Sequence, residues 1–144
     1  MRMEKETALS KVGRACMLVD SELTPNPGTV LVIDDDDHVR KLCCRCLAGA
    51  GFRVLDADNG FDALLIAAKH DGRIDMLITD VEMPQIDGPE LVQAFQALWP
   101  ATKVLFISGC NDAGRAQLNP EAAFLEKPFT PQKLVRTVDS ALGG

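Results

Sequence analysis

The sequence predicts an α/β domain, a five-stranded parallel sheet with helices on both faces, and two features of the chain carry that expectation. From Val30 onward, short apolar runs alternate with amphipathic helical stretches, as in a parallel sheet buried on both sides. Carboxylates also follow directly on two of those runs, at the strand ends where open α/β sheets bind ligands.

The strands are expected at Val30 to Ile33, Phe52 to Leu55, Met76 to Thr79, Lys103 to Ile107 and Ala123 to Leu125. Val39, Leu42, Cys43, Cys46 and Leu47 share one helical face, as do Leu91, Val92, Phe95 and Leu98, and later Leu134, Val138 and Ala141. Pro89 suits a first helical turn, and Thr130-Pro131 supplies a cap followed by a first-turn proline. Asn111 to Asn119 is the weakest helix, with a glycine inside and Pro120 behind it. Residues 1–28 end in Thr24-Pro25-Asn26-Pro27-Gly28 and read as an N-terminal extension or linker, leaving 29–144 as the domain.

A chain of 144 residues can bury a core of its own, and 47% hydrophobic with 25% charged residues is ordinary for a globular protein. The net charge of −6, with no basic stripe, argues against direct nucleic-acid binding. No apolar run approaches the roughly 18 residues of a membrane span. Five cysteines, three of them crowded at Cys43, Cys44 and Cys46, do not form a secreted disulfide framework. A reducing cytoplasm is the expected location, and zinc is not expected at that trio because two of its members face a helix core.

Asp34 to Asp37 follow the first apolar run, and Asp80 follows the third. Asp36 or Asp37 can cap the next helix, where negative charge is favourable. Asp34 and Asp35 are harder to explain that way, because neighbouring carboxylates at a rigid strand end favour a raised pKa or a bound cation. If the two strands are neighbours, Asp80 joins them, and such an oxygen-only site suits Mg²⁺.

Asp34-Asp35 after the first strand, Asp80 after the third, Ser108 after the fourth and Lys127-Pro128 after the fifth form an ordered set. With Asp80-Val81-Glu82-Met83-Pro84 and Gly88, that set resembles the response-regulator receiver domain from about Val30 to Leu142. The resemblance implies a doubly wound, flavodoxin-like sheet of order 2-1-3-4-5. It also implies a signalling phosphoacceptor rather than an enzyme in the usual sense: a histidine kinase or phosphotransfer protein phosphorylates Asp80, and a conformational change relays the signal to a downstream target.

By position, Asp35 and Asp80 would contact Mg²⁺ or Mn²⁺ directly, Asp34 largely through water, and Glu82 through its backbone carbonyl. Ser108 and Lys127 would hold the phosphoryl oxygens, with Gly109 leaving room for the backbone to approach. The Lys127-Pro128 bond is expected in cis. Phe124 stands at the family's switch aromatic, and a plain core aromatic is an equally good reading of it. The chemistry needs these residue types: a carboxylate nucleophile, and charge neutralisation around the transferring group.

The stretch from Ser108 to Phe124 is about a helical turn shorter than in typical relatives, which leaves the mode of dimerisation open. Glu82 and Cys110 fall where the family tunes the lifetime of its acyl phosphate. Two rival readings exist. A haloacid-dehalogenase-like phosphatase would use Asp34 as nucleophile, but expects a further acidic pair after the lysine, where only Asp139 follows. A receiver-like binding module that no longer takes phosphate would have lost a site acid or the lysine, and all are present.

Overall fold

The computed structural model describes residues 28–109 and 121–143. The N-terminal extension up to residue 27, the helix expected at Asn111 to Asn119 and Cys110 lie outside the described residues. Strands β1 (Thr29–Ile33), β2 (Arg53–Ala57), β3 (Met76–Asp80), β4 (Lys103–Ser108) and β5 (Ala123–Glu126) form one sheet of order β2-β1-β3-β4-β5. Every neighbouring pair is parallel. This is the doubly wound arrangement expected from the sequence.

Four helices are described: α1 (Asp37–Gly49), α2 (Gly60–Lys69), α3 (Gly88–Leu98) and α4 (Pro131–Ala141). Alternation along the strands sends side chains to opposite faces. On one face Leu31, Ile33, Leu77, Val104 and Phe106 meet Ala63 and Ala67 of α2 and Leu91, Val92 and Phe95 of α3. On the other, Val30, Val32, Met76, Ile78, Leu105 and Ile107 meet Cys43 and Leu47 of α1 and Leu134 and Val138 of α4. β1 and β3 are buried along their whole length, which is why they read as continuous apolar runs.

The helix starts follow local chemistry. Asp36 caps α1, its carboxylate accepting from the amides of His38 and Val39 at 2.9 and 3.3 Å. Asp87 and Glu90 form a capping box at α3, with Pro89 in its first turn. Thr130 caps α4 ahead of Pro131.

Two apolar residues leave the faces assigned to them. Leu42 is 37% exposed and Leu98 65% exposed. On α1 the buried stripe runs through Cys43 and Leu47, one turn apart, and Leu42 sits about 100° away on its flank. Leu98 is the last residue of α3, and Trp99 takes the packing position instead, its ring 4.6 Å from that of Phe95. Of the clustered cysteines, Cys43 is buried while Cys44 and Cys46 are half-buried, and all three are free thiols. Burial pushes the Cys43 thiol up to about 12 and the Cys44 thiol up to about 11, which leaves neither a ready thiolate for redox or metal chemistry.

Candidate functional site

Parallel register assembles the site. Ile33 pairs with Thr79, so Asp34 and Asp80 come level just past the sheet's last shared pair. Asp80 pairs with Ile107, which places Ser108 one residue beyond it on β4. Ser108 pairs with Glu126, and Lys127 follows, its amide donating to the Ser108 carbonyl at 2.8 Å. The winding reverses between β1 and β3, the switch point at which such sheets open a crevice.

Within that crevice carboxylate oxygens of Asp34, Asp35 and Asp80 lie within 4.8 Å of one another. The Lys127 ammonium donates to Asp80 Oδ2 at 2.8 Å and stands 3.7 Å from Asp34 Oδ2. Burial works against the charge on Lys127, but the bond to Asp80 and the charges of Asp34 and Asp80 outweigh it and hold its pKa above the ordinary value. Burial pushes the Asp34 carboxyl up to about 6, against the Asp36 amide that donates to it at 2.9 Å and the nearby Lys127 charge. Three crowded carboxylates facing one ammonium leave negative charge that a hard divalent cation would neutralise, so the set can coordinate one.

The β3–α3 loop shapes the other side. The Glu82 amide donates to Asp80 Oδ1 at 3.2 Å, while the Glu82 side chain is exposed. The Gly88 amide bonds to the Val81 carbonyl at 2.8 Å and closes the loop. A Cβ on Gly88 would collide with the Asp80 carbonyl oxygen and the Val81 backbone. At Gly109, by contrast, an added Cβ would meet nothing within 4 Å among the described residues. The close approach that requires a glycine therefore falls on Gly88.

Ser108 is fully buried, and among the described residues its hydroxyl has no hydrogen-bond partner. A buried polar atom left in that state is costly unless a ligand or water meets it. Lys127-Pro128 is cis, as the resemblance implied. Phe124 is 39% exposed on β5, opposite Phe106 in register, so it is not a core aromatic.

One contributor to the site was not read from the sequence. Arg40 of α1 donates to the Asp34 carbonyl oxygen at 2.8 Å. Its position three residues after Asp37, beside the acidic run, was the only local signal of it.

The family model for the response regulator receiver domain matches residues 30–139. The sensor kinase CckA of Brucella abortus is 38% identical over 117 residues, covering 79% of this chain and only 12% of the kinase. The response regulator receiver protein CpdR of the same organism is 31% identical over 119 residues, covering 78% of this chain and 95% of that protein. A receiver domain protein from Clostridium thermocellum superposes with a TM-score of 0.74 at 29% identity, covering 81% of this chain and 94% of the other. The fold and the carboxylate cluster define a signalling phosphoacceptor domain rather than a turnover enzyme. The chain belongs to the response-regulator receiver family. Among the described residues no helix is long and apolar enough to cross a membrane.

Proposed function

We propose that Asp80 is the phosphoacceptor, in a Mg²⁺-dependent reaction with a histidine kinase or a histidine phosphotransfer protein as donor. The observation that carries this reading is the convergence of Asp34, Asp35 and Asp80 on one point, with the Lys127 ammonium 2.8 Å from Asp80. Burial raises the Asp34 pKa, and a bound cation would favour its charged form.

Asp34, Asp35, Asp80 and the Glu82 backbone carbonyl would hold Mg²⁺, or Mn²⁺ in its place. The cation supplies charge neutralisation for the incoming phosphoryl oxygens. An Asp80 carboxylate oxygen forms the new O–P bond as the P–N bond to the donor imidazole breaks, and the imidazole leaves with its electron pair and takes up a proton. Lys127 turns from Asp80 to a phosphoryl oxygen as that charge moves outward. The Ser108 hydroxyl donates to another oxygen, which gives its buried O–H a partner it does not find among the described residues. Among the described residues none would stand within 4 Å of a Cβ at Gly109, so none of them obstructs the phosphoryl group there. Rearrangement at Ser108 would reach Phe124 through the β4–β5 pairing, and this exposed ring is the surface through which a cytoplasmic target protein would read the change.

Incubation with a small acyl phosphate and Mg²⁺ tests the assignment. Intact mass is expected to show gain of one phosphoryl group, lost on hydroxylamine treatment and absent from Asp80→Asn. Persistence of the label in Asp80→Asn together with its loss in Asp34→Asn would overturn the assignment and point to Asp34 as nucleophile.

A further inference from the structure

We propose that Arg40 is a positioning residue for the acidic pair, its guanidinium fixing the peptide plane between Asp34 and Asp35 in the orientation a divalent cation requires. The inference rests on the metal reading above and deepens it.

The guanidinium spends its donors on three separate parts of the fold. Nη1 donates to the Asp34 carbonyl at 2.8 Å, Nε to Asp56 Oδ2 on β2 at 3.0 Å, and Nη2 to Asp37 Oδ1 in the first turn of α1 at 2.6 Å. The side chain is only 12% exposed. An arginine fork is planar and rigid, so two carboxylate anchors set its plane and a third donor sets the position of the carbonyl. That carbonyl belongs to the peptide joining Asp34 to Asp35.

The two acids depend on this plane unequally. Asp34 is buried and its carboxylate is tied to the Asp36 amide. Asp35 is exposed, and no hydrogen bond to its carboxylate is found among the described residues. Its direction is therefore inherited from the backbone, and rotation of the 34–35 peptide would swing it away from Asp34 and Asp80. Asp37 and Asp56 meanwhile offset the guanidinium charge, which would otherwise repel a cation at the site.

Charge and geometry make opposite predictions, so the role can be tested. If Arg40 acted only as a nearby positive charge, its removal would tighten Mg²⁺ binding. If it positions the pair, removal weakens binding. Mg²⁺ titrations of the full chain, followed by calorimetry and by amide shifts in NMR, are to be compared for the parent, Arg40→Ala and Arg40→Lys, with metal-free thermal unfolding run alongside.

About tenfold weaker binding is expected in both variants, the usual scale for losing a residue that orients a ligand. Arg40→Lys keeps the charge but loses the fork, so it should not restore affinity. Parental or tighter binding by Arg40→Ala, or parental binding by Arg40→Lys, overturns the proposal. Should Arg40→Ala fail to fold, Arg40→Lys carries the test, because it keeps the charge and loses the fork. About tenfold weakening is expected there, and parental affinity overturns the role. A parent chain that binds no Mg²⁺ overturns the metal centre and this role with it, and is distinguished by the absence of any response in all the proteins.

Discussion

β3 is bracketed by two aspartates with opposite fates. Asp75, just before the strand, accepts from the Thr29 amide at 2.8 Å and pairs with Arg73 at 2.9 Å. Its own backbone is bonded to Thr29 and Lys103, and nearby the Thr102 hydroxyl donates to the Ile74 carbonyl at 2.8 Å. At the other end, Asp80 shares one ammonium with Asp34, beside a buried serine hydroxyl with no partner among the described residues. One end of the sheet is closed by its own hydrogen bonds, and the other leaves a buried hydroxyl without a partner among the described residues. On the proposed function, stability and reactivity are segregated along one strand, five residues apart.

Exchanging the two acids should give the largest contrast. Asp80→Asn is expected to abolish the hydroxylamine-labile phosphoryl gain, whereas Asp75→Asn should keep it, as intact mass after treatment with the acyl phosphate would show. A protein that loses its label through Asp75→Asn while remaining folded would break the separation between the two ends.

Gly88→Ala comes next. The new methyl group collides with the Asp80 carbonyl and the Val81 backbone, so the loop must shift. A loss of about 2–3 kcal/mol in urea unfolding is expected, the scale of overpacking against a rigid neighbour, together with slower phosphorylation. An unchanged midpoint would show that the loop yields freely.

Asp75→Ala should cost about 1–2 kcal/mol, because it strips the Thr29 amide of its acceptor and Arg73 of its partner. Asp34→Asn should act in the opposite direction. The amide oxygen can still accept from Asp36, but the buried charge is gone, so the metal-free protein gains about 1–2 kcal/mol at neutral pH after allowance for the lost Lys127 pair.

The pH dependence of that gain follows from the titration of Asp34, whose pKa rises from 3.8 to about 6 on folding. Between those values the folded chain binds more protons than the unfolded one, so stability from this group is fully present below pH 3.8 and is lost as pH rises through about 6. The stability gap between Asp34→Asn and the parent should therefore open across that interval and stay level above it. A gap independent of pH would show that the benefit comes from packing rather than from the charge.

Much of this contrast was legible in the sequence. Parallel strands buried on both faces are apolar at every position, so β1 and β3 stood out, and the acids that end them were visible by contrast. Even so, the boundaries moved: Asp80 and Ser108 are the last residues of their strands rather than the first beyond them, and β2 runs on to Ala57. The order of Asp34, Asp80, Ser108 and Lys127 sufficed to assemble the site because parallel register carries one strand end to the next. Arg40 was not legible, since its partner Asp56 is 16 residues away and no local pattern announces such a bond. Leu42 and Leu98 failed for a related reason, as periodicity locates a helical face but not where the sheet beneath it stops.

The staircase of registers also bears on what an incomplete sheet can do. Lys127 reaches Asp80 across a separation of 47 residues and enters with β5, which lies at one edge of the sheet. Lys127 has no other route to the acids, because β5 joins the sheet only through β4, with Leu105 opposite Ala123. A chain whose first four strands have formed would hold its acids together without the ammonium that balances them. On the proposed function, a molecule whose edge strand is undocked would therefore lack the cation that phosphoryl transfer to Asp80 needs.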